Sequence, residues 1–153
     1  MQKKPKVLFL SRGNATRGQM AEGLLRSLAA DRFDATSAGI EPGTLNPIAV
    51  EAMWEAGVDI SRQQAKNVKE LLKEHFAYVI TVCDLARERA PIFPFTPNLV
   101  HWSIYDPESA QHSAEEKKNM FRRVRDEIRA KVESFLSETT KTKPQLAKTA
   151  EAR

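Results

Sequence analysis

A chain of 153 residues, 41% apolar and 29% charged, is one domain's worth of soluble globular protein, and no apolar run approaches the roughly 20 residues that span a bilayer. The formal charge of +4 does not mark a nucleic-acid binder, because Lys141, Lys143, Lys148 and Arg153 against Glu138 and Glu151 place +2 of it after Leu136, and no basic helix face or aromatic-interleaved basic strand is visible. The single cysteine, Cys83, excludes an intramolecular disulfide and a cysteine-rich metal site, so no metal and no cofactor is expected.

The start, Met1-Gln2-Lys3-Lys4-Pro5-Lys6, has the charges of a signal peptide but only four apolar residues behind it, so no targeting segment is read and a cytoplasmic protein is expected. Lys6 to Leu10 is a first strand, apolar enough to be covered on both faces. A helix follows from about Arg17 to Ala30, with Met20, Ala21, Leu24, Leu25 and Leu28 at helical spacing. Phe33 to Ser37 alternates and reads as a second strand. Asn46 is a good N-cap and Pro47 suits the first helical position, so a second helix begins there and ends at Gly57. A short helix from about Asn67 to Glu74 leads into Tyr78 to Val82, a β-branched third strand. Leu85 to Asn98 contains three prolines and is expected to be an irregular loop, followed by a strand over Leu99 to Trp102 and a loop at Tyr105-Asp106-Pro107. The last helix spans about Ser113 to Leu136, with Met120, Phe121, Val124, Ile128, Val132 and Phe135 as its apolar stripe. Residues 137–153 offer only Leu146 as a large apolar side chain and are expected to be a disordered polar tail. Strands alternating with helices predict a single α/β domain, residues 1–136, with a four-stranded parallel sheet flanked by helices and the site at the carboxyl ends of the strands.

The stretch Ser11-Arg12-Gly13-Asn14-Ala15-Thr16-Arg17 joins the first strand to the first helix. Gly13 and Asn14 take positive φ cheaply, so successive N–H groups can turn inward as a nest while the helix adds the positive end of its dipole. Arg17 supplies a fork that matches two oxygens of a tetrahedral oxyanion. The same pattern also serves as a simple strand-to-helix turn.

The run Ser11 to Arg17 with Gln19-Met20-Ala21-Glu22-Gly23 resembles the signature of the low-molecular-weight protein tyrosine phosphatases, in particular their thioredoxin-coupled arsenate reductase branch. The resemblance continues through Ser37-Ala38-Gly39-Ile40, Asn46-Pro47, Val58-Asp59-Ile60-Ser61, Cys83-Asp84, Pro91-Ile92-Phe93-Pro94, Trp102, Asp106-Pro107 and Phe121 to Ile128. It implies a flavodoxin-like fold, a thiolate at the head of the loop, an arginine clamping the oxyanion and an Asp-Pro aspartate as general acid. Arg17 and Asp106 match the last two.

Ser11 stands where the family has its nucleophilic cysteine. A thiol has pKa about 8.5, lower beside cations, whereas an aliphatic hydroxyl gives no comparable anion near neutrality without an adjacent base. Gly18 replaces a serine that in the family bonds the nucleophile, and Thr16 stands where a cysteine often does. The reductase relay that the resemblance implies uses a second cysteine at Cys83 and a third seven residues on, where this chain has Ala90. One cysteine therefore excludes an intramolecular relay, and thioredoxin coupling is not expected. Some members also hold a potassium ion with an asparagine, a glutamate, a serine and an aspartate. Asn14, Glu22 and Ser37 match as loop support, while Lys66 occupies the aspartate position, where it is either an ammonium in place of the cation or a simple exposed lysine. His75, His101 and His112 lie outside the loop motif and read as surface or core residues.

Three functions follow. The first is binding of phosphate, arsenate or a phosphorylated ligand at Ser11 to Arg17 with thiol catalysis absent. The second is an active phosphatase or reductase, or an engineered cysteine-to-serine trap of one; Thr16 and Gly18, which a trap would leave alone, favour natural divergence. The third is a scaffold that binds a protein through the last helix or the basic tail.

Overall fold

Val7 to Leu10 are completely buried and occupy the centre of β1 (Lys6–Ser11), where alternation sends Val7 and Phe9 to one face of the sheet and Leu8 and Leu10 to the other. The computed structural model describes residues 4–93, 96–108 and 113–152, with side chains up to residue 140. Pro94 and His112 lie outside the described residues. β1 is flanked by β2 (Asp34–Gly39) and β3 (Tyr78–Thr81), and β4 (Asn98–His101) completes a parallel sheet in the order β2-β1-β3-β4. The chain leaves β1 toward one neighbour and returns on its other side, so the carboxyl end of β1 is the switch point at which open α/β sheets form their crevice. Ser11, paired with Gly39, sits there.

The Val7 and Phe9 face is covered by α1 (Arg17–Ala29), α2 (Pro47–Glu55) and α4 (Ala114–Ala152), which bring Met20, Leu24, Met53, Phe121, Ile128 and Val132 into one apolar cluster. The opposite face is covered more thinly by a 3-10 turn (Val68–Leu71), Phe76, Phe93 and α3 (Asp84–Arg89). Asn46 caps α2 by accepting from Ile48 N at 2.8 Å, and Gly57 ends that region at φ 82°, a backbone only glycine adopts without strain. Among the described residues no helix is long and apolar enough to cross a membrane.

Several boundaries differ from the expected ones. β2 runs two residues further, to Gly39, and starts one later than Phe33. β4 begins at Asn98 and stops before Trp102. The 3-10 turn replaces the short helix expected over Asn67 to Glu74. The segment expected to be wholly irregular opens with α3, because its prolines start only at Pro91 while Cys83 caps the helix, its Sγ accepting from Ala86 N at 3.3 Å. α4 does not stop at Leu136. Thr139 is buried, donates to Phe135 O at 2.8 Å and accepts from Arg32 Nη2 at 3.1 Å, and the backbone stays helical to Ala152 where a disordered tail was expected. The local sequence gives no reason for this continuation, because Pro144 has no N–H to donate and costs about 3 kcal/mol in a helix interior, and the threonines around it are poor helix formers.

Gly23 shows how tightly α1 is seated. A Cβ there would come within 2.5 Å of Cγ2 of Ile60, a completely buried and χ1-stiff side chain. Gly23→Ala gains about 1 kcal/mol of helix propensity but should lose more to overpacking, for a net destabilisation of roughly 1–2 kcal/mol in urea unfolding. A stabilised variant would show that α1 can slide away from Ile60.

Candidate functional site

Every backbone carbonyl from Ser11 to Thr16 is taken by a donor of the protein. Ser11 O accepts from Ile40 N at 3.1 Å, Arg12 O from Glu41 N at 2.8 Å, Gly13 O from Gly43 N at 2.9 Å and Ala15 O from Asn46 N at 3.0 Å. Asn14 O accepts from Gln19 Nε2 at 2.9 Å, and Thr16 O from Met20 N at 2.9 Å. In a trans peptide the N–H points opposite to the preceding carbonyl, so fixing the carbonyls outward turns the following N–H groups inward. The N–H groups of Arg12, Gly13, Ala15 and Thr16 meet no protein acceptor among the described residues. Asn14 sits at φ 54°, the one non-glycine residue with positive φ among those described, and gives the reversal a nest requires.

The helix behind the loop is open as well. Thr16 at the N-cap of α1 makes no capping bond and no acidic residue occupies the first turn, so its N–H groups and dipole face the cleft. The Thr16 hydroxyl donates instead to Glu108 Oε2 at 2.6 Å, tying the segment after β4 to the loop. Arg17 is largely buried, donates through Nη1 to Ile104 O at 3.0 Å and holds Nη2 at 3.8 Å from Asp106 Oδ2. These groups surround a cleft of about 370 Å³, closed by residues 43–47 on one side and by Asp106 and Glu108 on the other. Gly39 allows the close approach: a Cβ there would stand 2.9 Å from Arg12 O and 3.0 Å from Asn14 N.

Ser11 is buried at the base of the cleft, and its Oγ accepts from Asn14 N at 3.0 Å. A Cβ on Gly18 would lie 3.1 Å from this oxygen and 3.2 Å from Asn14 Nδ2. That Nδ2 is a buried donor with no partner, a loss worth about 1–3 kcal/mol and the mark of a missing acceptor where the resemblance places a serine hydroxyl. The histidines are elsewhere. His75 is exposed before β3, and His101 bridges Thr81 Oγ1 at 2.7 Å and Asp84 Oδ1 at 3.0 Å. Cys83 is buried in the thinner apolar cluster, and Ala90 is the C-cap of α3.

Behind the loop, Glu22 is buried with both oxygens committed. Oε1 accepts the Ser37 hydroxyl at 2.6 Å, and Oε2 accepts Arg26 Nη2, which also donates to Ala35 O at 3.0 Å. Lys66 Nζ stands 3.9 Å from Glu22 Oε1, and Lys66 N donates to Asn14 Oδ1 at 2.9 Å. Gln19 Nε2 reaches the same Oδ1 at 3.2 Å. A potassium ion needs free oxygens and no competing cation, and here Asn14 Oδ1 accepts two N–H groups, Glu22 accepts a hydroxyl and a guanidinium, and two protein cations face the carboxylate; the residues do not fit that ion. Lys66 was expected in this role from the sequence, but Arg26 is the nearer partner. Its signal was the Glu22 to Arg26 spacing of four on one helix.

Two further residues of the cleft were missed. Glu108 lies two after Asp106, whose Oδ1 accepts Glu108 N at 2.9 Å. Glu41 lines the rim with its carboxyl held below the usual range, first by the hydrogen bond from Arg89 and then by the charges of Arg89 and Arg12. The nearness of Glu108 to Asp106 was the signal for it, whereas nothing in the local sequence of Glu41 points to the cleft.

The model of the family "Low molecular weight phosphotyrosine protein phosphatase" matches residues 6–146. Over 129 residues the chain is 42% identical to an arsenate reductase of Halalkalibacterium halodurans, covering 84% of this chain and 93% of that one, and 41% identical to an arsenate reductase of Bacillus subtilis over the same shares. A solved structure described as an arsenate reductase in the phosphate binding state superposes with a TM-score of 0.76 at 28% identity, covering 88% of this chain and 98% of the other. With a strand-to-helix loop of seven residues ending in Arg17, a parallel four-stranded sheet and a match over nearly the whole length, the chain belongs to the low molecular weight phosphotyrosine protein phosphatase family.

Proposed function

We propose that this chain holds a tetrahedral oxyanion, phosphate or arsenate, in the Ser11–Arg17 loop and performs no thiol chemistry on it. The observation that carries this reading is the commitment of all six loop carbonyls away from the cleft, which leaves N–H groups, the uncapped end of α1 and the Arg17 guanidinium converging on one volume. Such donors are fixed before the ligand arrives, so little reorganisation opposes binding. The likeness to a structure described as phosphate-bound supports the same ligand class.

The chemical half of the site is where this chain departs. Ser11 has its Oγ at the head of the loop, receiving one N–H, and the two described histidines are placed away from it. An alcohol without a base is a poor nucleophile near neutral pH. Asp106 lies where a general acid would protonate a leaving oxygen, beside Arg17 and partly exposed, but an acid without a nucleophile gives no displacement. The second reading, arsenate reduction, is favoured by the identity to the Halalkalibacterium halodurans and Bacillus subtilis enzymes. It needs thiols that the chain does not have: Cys83 is buried as a helix cap, and Ala90 stands at the third relay position. Thr16 bonded to Glu108, and Gly18 packed on Ser11, support divergence of the whole loop over a single trapping substitution.

Titration calorimetry with inorganic phosphate should show binding, with neither aryl phosphate hydrolysis nor thioredoxin-dependent arsenate reduction; turnover of either kind overturns the reading. Arg17→Ala should weaken phosphate by roughly 10- to 100-fold, the value of a charge-assisted pair of about 1.5–3 kcal/mol, and an unchanged affinity would place the anion elsewhere. Ser11→Cys should create aryl phosphate hydrolysis that iodoacetate abolishes, because Asn14 N and the α1 dipole then favour a thiolate, while arsenate reduction stays absent for want of a thiol at position 90. A Ser11→Cys protein that binds phosphate yet hydrolyses nothing would show that more than the nucleophile has been lost.

A further inference from the structure

A second cavity, of about 410 Å³, lies behind the loop on the far side of Glu22. Its walls carry Arg26, Arg62 and Lys66 against Glu22 and Asp59, with Gln63 and Gln64 between them. The two carboxylates are not equivalent. Glu22 is buried and already holds Arg26 and the Ser37 hydroxyl, and Asp59 accepts Ser61 N at 2.9 Å at the exposed edge. Two cations are less fully committed. Arg62 is exposed, acts on Asp59 through charge and hydrogen-bonds nothing among the described residues, and Lys66 Nζ has a 3.3 Å contact with Gln64 O and the 3.9 Å approach to Glu22. A concave site with one guanidinium fork and one ammonium, lined further by amide groups, suits an anion with several oxygens.

The walls are also joined to the loop. Lys66 N donates to Asn14 Oδ1 at 2.9 Å. Gln63 Nε2 donates to Gln19 O at 3.0 Å and to Gln19 Oε1 at 2.8 Å, and Gln19 Nε2 in turn holds Asn14 O and Oδ1. Both routes end on Asn14, the positive-φ residue that reverses the loop.

We propose that the cavity between Arg62 and Lys66 is a second, separate binding site for a small oxyanion, sulfate or phosphate in class, and that its occupancy is felt at Asn14. An anion there takes bonds from the Arg62 guanidinium, the Lys66 ammonium and the Gln63 amide. Gln63 Nε2 is otherwise bonded to Gln19, whose own Nε2 holds Asn14, so an anion that takes the Gln63 N–H loosens Gln19 and reaches Asn14 through it. The existence of the site does not depend on the loop binding anything; only the coupling does.

The test is a titration of the full chain with sodium sulfate at constant ionic strength, followed through amide shifts by NMR, in wild type, Arg17→Ala and Arg62→Ala. Constant ionic strength separates site binding from general screening. Two sets of shifts are expected in wild type, one over Gly13, Ala15 and Thr16 and one over Gln63, Gln64 and Lys66, with Asn14 responding to both. Arg17→Ala should lose the first set and keep the second with Asn14 still moving. Arg62→Ala, an exposed change that leaves the fold intact, should weaken the second set at least tenfold and keep the first. Loss of both sets in Arg17→Ala, or an unchanged second set in Arg62→Ala, overturns the second site. A second set that leaves Asn14 still overturns the coupling. If only the second set appears in wild type, this site stands and the loop reading falls.

Discussion

The segment from Ile40 to Asn46 dictates what the loop can be. Four of its N–H groups bond the carbonyls of Ser11, Arg12, Gly13 and Ala15, each such bond contributing on the order of 1 kcal/mol and together fixing the orientation of four peptide planes. Planarity does the rest, since a peptide whose oxygen is held outward can only present its N–H inward. Those N–H groups then face the cleft without a protein acceptor among the described residues, which is what an anion would supply. Gly39 is required by the same contact, because the two strands of chain lie closer than a side chain allows. The anion cradle is therefore a property of the backbone pairing between two segments, and its side chains, Arg17 apart, are secondary to it.

This division explains how far the site could be read from the sequence. Apolar periodicity was enough for β1, α1, α2 and the first part of α4, because burial selects residue type directly. Asn46 and Gly57 marked α2 through local chemistry. α3 was hidden by the prolines downstream of it and by a cap made from a thiol, a weak acceptor not usually read as one. The extension of α4 was hidden because Pro144 and the threonines around it argue against a helix there. The loop itself was legible from Gly13, Asn14 and Arg17, but what holds it was not: the donors at Ile40, Glu41 and Gly43 are backbone atoms, and no residue type encodes them. Glu108 and Arg26 show the same limit for side chains, one arriving through 92 residues of chain and the other masked by the more obvious Lys66.

Binding and chemistry are separable in this architecture because they use different atoms. On the proposed reading the anion is recognised by main-chain groups and Arg17, which survive a change of the residue at the head of β1. Chemistry rests on the atom at that head, and oxygen in place of sulfur removes a group that is partly anionic near neutrality and puts in one that is not. The neighbourhood follows the change. Gly18 approaches Ser11 Oγ without a side chain, and Asn14 Nδ2 is left without the acceptor that a hydroxyl at position 18 would give.

The rear of the loop carries its own electrostatic demand. A carboxylate as buried as Glu22 is costly unless paired, and losing one partner of such a pair destabilises far more than the pair itself contributes. Ser37 and Arg26 satisfy its oxygens, so Lys66 is surplus to that need and stands at a distance where the attraction is weak. Its ammonium is thus available to the solvent cavity while its backbone remains fixed to Asn14. The front of the loop depends on Ile40 to Asn46 and the back on Glu22, Gln19 and Lys66, and Asn14 is the residue on which the two supports meet. A change at Asn14 would act on the backbone reversal, the Ser11 bond and the Lys66 bond together, so the front and back supports of the loop are coupled at this residue.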